Sequence, residues 1–188
     1  TIVFATAITY VKCGAAVVFE SSTQNYFSAA QSITSANTSF ADFTSFRWGK
    51  AGNTSNLTSS LSFSVTGNIE MYGANISVTK NLTSTASSGS ILLKSTGDIS
   101  TSGGTSGTPV AMTTNAGTIT LWSDSDNSGA GAISLADYTN LNSANGTTAA
   151  TSQTTAGAAI TLGGGLDTSS PADGIPDGYA TGNSSGIT

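Results

Sequence analysis

One phrase, Gly/Ala-x-Ile-x-Leu/Met, returns along the chain and constrains its fold more than any single residue does. It stands at Gly67-Asn68-Ile69-Glu70-Met71, Gly89-Ser90-Ile91-Leu92-Leu93, Gly117-Thr118-Ile119-Thr120-Leu121, Gly131-Ala132-Ile133-Ser134-Leu135 and Ala158-Ala159-Ile160-Thr161-Leu162. Each copy reads as a turn glycine (alanine in the last) followed by a two-residue alternation. That is the pattern of a short strand with one face buried. The sequence stops at Gly186-Ile187-Thr188, which reads as the opening of a further copy. The expectation is a segment of a longer polypeptide.

The isoleucines of successive copies lie 22, 28, 14, 27 and 27 residues apart. Intervals of about 20–28 residues suit one solenoid coil of two or three short strands with turns. The 14-residue interval predicts two strands of one coil. Equivalent strands of successive coils then pair in parallel at about 4.8 Å. The predicted fold is all-β: a right-handed parallel β-helix, or β-solenoid, with short strands and no substantial helix. Seven to nine coils would make a rod roughly 35–45 Å long. Ile, Leu, Val and Met are expected to face inward, and Thr, Ser, Asn and the few charges outward.

Residues 67–188 carry the regular coils, and residues 1–66 an irregular first part continuous with them. In that first part Ile2/Phe4, Ile8/Tyr10 and Val17/Phe19 are pairs fit for strands. Phe40, Phe43, Phe46 and Trp48 form an aromatic cluster. Thr44, Ser45 and Gly49 among them favour short strands over a helix. Residues 1–20 are apolar, but Lys12 lies among them and β-branched residues dominate. A pair of strands fits better than a signal peptide or a membrane span.

Composition decides between order and disorder. Ser and Thr supply 31 residues each, and charged residues only 8%. Disordered chains lack β-branched and aromatic residues, whereas Ile, Val, Thr, Phe and Tyr recur here on a two-residue beat. Five Lys and Arg against ten Asp and Glu, with no histidine, give no cationic footprint for nucleic acid. Attraction to an anionic membrane is disfavoured for the same reason. Cys13 is the only cysteine, which excludes an intrachain disulfide and a cysteine-rich metal site. It reads as a small apolar strand residue.

Two acidic loops are candidate calcium sites. Asp124-Ser125-Asp126-Asn127-Ser128-Gly129 has the opening spacing of a calcium loop, but Leu135 stands where the closing acid belongs. Asp173 and Asp177 echo the end of Asp-rich repeats, with Ser169 and Pro171 in place of upstream acids. Solvated Asx turns and a Pro/Gly loop are the plainer readings, and no cofactor is expected. Asp124 and Asp126 could act as paired carboxylates on a glycan. A chain with no histidine, whose only arginine is the distant Arg47, is not expected to be an enzyme. Nor is there a nucleophile elbow or a phosphate loop. Trp122 and Tyr179 are candidate glycan contacts. Trp122 follows the inward Leu121, so alternation turns it outward, toward a glycan, a neighbouring rod or a covering loop. Seven Asn-x-Ser/Thr sequons, at Asn37, Asn53, Asn56, Asn75, Asn81, Asn145 and Asn183, are taken as surface markers. A regular Thr-x-Thr rank of the ice-binding kind is absent.

From Thr44 onward the chain resembles the β-solenoid repeat regions of large Bacteroidetes-type surface adhesins, which are filamentous-haemagglutinin-like. The resemblance rests on Phe46-Arg47-Trp48-Gly49-Lys50, Gly67-Asn68-Ile69-Glu70-Met71-Tyr72-Gly73, Lys80-Asn81-Leu82-Thr83, Leu121-Trp122-Ser123-Asp124-Ser125-Asp126, Gly163-Gly164-Gly165 and Asp173-Gly174-Ile175-Pro176-Asp177. It covers about three quarters of the chain. It implies export to the bacterial cell surface and a structural or adhesive role, and brings no catalytic residues. The expected partners are neighbouring coils, copies of itself and surface glycans, without membrane insertion. End coils expose strand edges and are expected to be covered by more chain or another subunit.

Overall fold

A computed structural model describes residues 2–3, 10–12, 14–21, 27, 29–34, 39–144 and 157–178. Within them the chain is a parallel β-helix of three six-stranded sheets, with no helix. The first wall holds β1 (Ile2–Val3), β4 (Gln31–Thr34), β7 (Leu57–Ser59), β10 (Ile76–Val78), β13 (Ile99–Thr101) and β16 (Ile133–Ser134). The second holds β2 (Tyr10–Lys12), β5 (Ser39–Phe43), β8 (Phe63–Val65), β11 (Leu82–Ser84), β14 (Val110–Thr114) and β17 (Thr139–Asn142). The third holds β3 (Ala16–Phe19), β6 (Ser45–Trp48), β9 (Ile69–Gly73), β12 (Ile91–Ser95), β15 (Ile119–Ser123) and β18 (Ile160–Gly164). Every third strand along the chain returns to the same wall.

The repeated phrase is the third wall. Phe46, Ile69, Ile91, Ile119 and Ile160 share one register, and two residues on so do Trp48, Met71, Leu93, Leu121 and Leu162. The fourth copy belongs elsewhere. Ile133 stands in register with Leu57, Ile76 and Ile99 on the first wall, one strand further along the chain. The 14-residue interval and the 27-residue one after it therefore make a single turn of the helix together. Described strands of residues 1–66 lie in the same three sheets as the later ones.

The described residues form six coils, fewer than the expected seven to nine. On the interstrand spacing that is a stack of about 29 Å. Within these coils residues 102–109 and 124–132 take up chain between strands without adding a rung.

Alternation places one continuous apolar column inside, with Ile69, Met71, Leu82, Ile91, Leu93 and Ile119 fully buried. Each such aliphatic side chain contributes about 1.5–3 kcal/mol. At the N-terminal end of the described core, Phe46 stacks on Phe63 with ring centroids 4.5 Å apart and meets Phe19 edge-on at 5.8 Å. The aromatic cluster is thus two short strands, β5 and β6, separated by Thr44.

Not all hydroxyls face outward, contrary to expectation. Ser59, Ser84, Ser95, Thr101, Thr114 and Ser143 are buried at strand ends, where the backbone turns and its carbonyls lose their ladder partners. Ser84 Oγ donates to Gly67 O at 2.6 Å, Thr114 Oγ1 to Gly117 O at 2.5 Å, and Ser143 Oγ to Ala158 O at 2.7 Å. A buried carbonyl left unpaired costs about 1–3 kcal/mol, so these hydroxyls make the corner between the second and third walls affordable to bury. At the corner between the third and first walls the Ser95 hydroxyl donates to Ala74 O and Asp98 O, and side-chain amides and a carboxylate add a second chain of bonds. Asn75 donates its N–H and side-chain NH₂ to Asn56 Oδ1 at 3.2 and 3.0 Å. Asn75 Oδ1 in turn accepts from Asp98 N at 2.8 Å, and Asp98 Oδ1 from Ala132 N at 2.9 Å.

The phrase glycines serve close approach rather than an unusual turn. None of Gly67, Gly89, Gly117 and Gly131 has a positive φ. A Cβ on Gly67 would lie 2.4 Å from Thr44 O, one on Gly89 2.8 Å from Gly67 O, and one on Gly117 1.9 Å from Gly89 O. The three stack up the same corner, each against a backbone carbonyl of the coil before.

Candidate functional site

Charge is sparse, and the third wall collects much of it. Its outward positions run in two columns. Val18, Arg47, Glu70, Leu92, Thr120 and Thr161 are in register in one. Tyr72, Lys94, Trp122 and Gly163 are in register in the other. Arg47 pairs with Glu20 at 2.9 Å. The outward column of the first wall (Ser32, Thr58, Ser77, Ser100, Ser134) and that of the second from β8 onward (Ser64, Thr83, Thr113, Asn142) are uncharged.

Trp122 points outward, as alternation requires, yet it is only 3% exposed. The stretch after β18 covers it: Trp122 Nε1 donates to Gly165 O at 2.7 Å. The Lys94 ammonium occupies the ring at 3.4 Å from its centroid. Of the neighbours expected for Trp122 it is thus a covering loop that lies on the ring, and a sugar cannot lie flat on a ring so covered. Tyr179, the other candidate contact, lies outside the described residues, as does Cys13.

The cover is fastened at several points. Gly164 and Gly178 exchange backbone hydrogen bonds of 2.9 and 3.1 Å, an antiparallel bridge against the end strand. Asp177 Oδ2 accepts from Thr168 N at 2.6 Å and from its hydroxyl at 2.8 Å. Asp167 accepts from Ser169 Oγ and Gly174 N, both at 2.7 Å. Those donors, the serine hydroxyl foremost, hold the Asp167 carboxyl below its ordinary value of 3.8.

A pH dependence follows. The folded loop favours ionised Asp167, so its contribution is complete above the ordinary aspartate value and is lost as pH falls through the lower folded one. Acidification below 3.8 is therefore expected to loosen the cover, red-shifting Trp122 emission before the far-ultraviolet β signal changes. Emission constant down to a pH of about 2 would count against this clasp.

The candidate calcium ligands are engaged within their own loops. Asp124 is fully buried with φ 48°. Its carboxylate accepts from Ser128 Oγ at 3.0 Å and from Gly129 N at 3.1 Å. Asp126 Oδ1 accepts from Ser128 N at 3.3 Å, and Asp173 Oδ1 from Ile175 N at 3.0 Å. Among the described residues no three His, Cys, Asp or Glu side chains gather to hold a metal ion. Asp124 and Asp126 also differ in setting, since Asp124 is sealed beneath its loop and Asp126 is exposed. As a pair of carboxylates working on one exposed glycan they do not fit.

Sequons are not uniformly surface markers. Asn53 is 2% exposed, and its side chain donates to Tyr72 O at 2.7 Å while accepting from Phe27 N and Ser55 N at 3.2 Å. Asn56, Asn75 and Asn81 are exposed, and each side-chain oxygen accepts a backbone N–H of the following coil.

Beside Lys94 the third wall carries a groove of about 270 Å³, lined by Gly52, Tyr72, Lys94, Thr96, Ser125 and Asp126 among others. Partial burial lowers the Lys94 pKa, opposed by the charge of Asp167. It raises that of Tyr72, with the Glu70 carboxylate adding to the effect. Asp126 alone of these was anticipated. Tyr72 and Lys94 were legible in one way only: they occupy the position just after the phrase, where Trp122 also stands.

No helix among the described residues is long and apolar enough to cross a membrane. No family model matches the chain, and no curated protein or solved structure does either.

Proposed function

We propose that this chain is a structural and adhesive segment of an extracellular bacterial surface adhesin or fibre. It acts as a stiff stalk that carries weak, multivalent contacts away from the cell. The observation behind this reading is the registry of three six-stranded walls around one apolar column, an extended scaffold that grows by adding coils. The uncharged outward columns of the first wall, and of the second from Ser64 to Asn142, are suited to lying beside other rods or hydrated glycans. The role is mechanical rather than catalytic, a reading supported by the absence of histidine from the chain and by the loop-bound state of Asp124. The resemblance to adhesin repeats supports a setting at the cell surface, with copies of itself and surface glycans as the proposed partners.

The groove beside Lys94 favours a second reading, a carbohydrate-binding module. Display separates the two from an inert spacer. Cells of a non-adherent bacterium carrying many copies are expected to be retained on polysaccharide-coated surfaces, because multivalency multiplies weak contacts by about 10²–10⁴. Retention no better than that of cells displaying an unrelated β-domain would overturn the adhesive part. The scaffold part is tested by duplicating residues 69–90, one register repeat of the third wall. The longer chain should stay folded and lengthen by about 4.8 Å in solution scattering. A collapsed or aggregated product would overturn it.

A further inference from the structure

We propose that the groove beside Lys94 binds a carboxylated sugar residue, with the Lys94 ammonium holding the ligand's carboxylate and Asp126 accepting from its hydroxyls. The inference deepens the adhesive reading and rests on it for its setting at the cell surface.

Four observations select this ligand class. First, Lys94 is one of only five basic side chains in the chain, and among the described residues its ammonium has no carboxylate within ion-pairing distance. It sits instead 3.4 Å from the Trp122 ring centroid. That ring, fixed by the Gly165 bond, orients the cation without neutralising it. Second, Asp126 lines the same groove. A ligand that is only an anion, such as phosphate or sulfate, meets repulsion there, and a purely cationic one meets it at Lys94. A molecule with a carboxylate at one point and hydroxyl donors at another satisfies both. Third, the Thr96 and Ser125 hydroxyls that also line it can donate and accept, and the half-buried ring of Tyr72 offers the apolar surface on which sugar C–H faces pack. Fourth, a volume of about 270 Å³ lies just below the 300–1,000 Å³ of drug-sized sites. One sugar ring, terminal or as part of a chain, suits that space.

The binding uses no chemistry on the ligand; it is an ion pair with flanking hydrogen bonds. It is expected to be weak, salt-sensitive and effective through many copies.

Galacturonate oligomers and matched neutral galactose oligomers, titrated into the whole chain, provide the test. Trp122 emission reports it, because a carboxylate drawing the ammonium aside alters the field over the ring. Trp122→Phe identifies that signal against Trp48, and calorimetry measures affinity independently of it. The acidic oligomer should bind and the neutral one much more weakly. Lys94→Met should weaken acidic binding about tenfold or more, Lys94→Arg should retain it, and Asp126→Asn should weaken it several-fold. Far-ultraviolet dichroism checks that each variant keeps its β-helix. Equal binding of the two oligomers, unchanged affinity in folded Lys94→Met, or no binding up to about 10 mM would overturn the proposal. Those outcomes leave the scaffold untouched, since scattering of the coil duplication reads it separately. Retention of displayed cells that persists in Lys94→Met would assign adhesion to another face.

Discussion

Gly117→Ala is expected to destabilise the protein by about 3 kcal/mol, the upper end of what overpacking by one methyl group costs, although it asks for no unusual backbone angle. The new Cβ would stand 1.9 Å from Gly89 O and 2.6 Å from its carbon. Those are backbone atoms, so no side chain can rotate out of the way. Relief requires the two coils to part at that corner, which strains the ladder between β12 and β15 and the nearby bond from Thr114 to Gly117 O. Gly107→Ala is the control. Nothing lies within 4 Å of its added Cβ, and its change should stay within about 0.5 kcal/mol. Chemical denaturation of both variants checks the pair. Equal stabilities would mean that glycine at the corner is not required by close approach.

Phe46→Ala should cost about 3–5 kcal/mol. The ring is fully buried between Phe19 and Phe63 and stands above Val17 in the column that continues through Ile69, Ile91 and Ile119. Removing it leaves a cavity that stiff neighbours on three walls cannot close. The fluorescence of buried Trp48, two residues away on the same face, should report the loosening along with the denaturation midpoint. A loss below about 1 kcal/mol would mean that the aromatic end packs independently of the column.

How much of this was legible depended on whether the signal was local. The two-residue beat of Ile69-Glu70-Met71 and Ile91-Leu92-Leu93 is local, and it marked the strands of the third wall correctly. Ile133 carries the same phrase on a different wall, because a phrase marks a strand and only the chain length between phrases assigns it to a sheet. Ser84 and Thr114 looked like outward polar residues. Their burial is set by the carbonyls of Gly67 and Gly117, and for Ser84 that partner lies in another coil. Trp122 turns outward as alternation requires, with a covering loop among its expected neighbours, but which stretch covers it was not legible, since the cover arrives from Gly165, on the far side of β18. Tyr72, Lys94 and Asp126 reach one groove from three successive coils. Such a site has no spacing motif; stacking the phrases by their isoleucines brings out the first two, and only the corner after β15 brings in the third.

The backbone hydrogen bonds of this fold run along the rod and not across it, as the parallel pairing of every strand with its equivalent one coil away requires. A pull along the axis therefore opens the end coil first, as a zip opens, while the coils behind it keep their pairing. The third-wall repeat from Ile69 to Ile91 spans 22 residues, and at about 3.3–3.6 Å per extended residue it pays out roughly 75 Å of slack. Loaded at its two ends, such a chain lengthens one coil at a time, as a coil of rope made fast at intervals does.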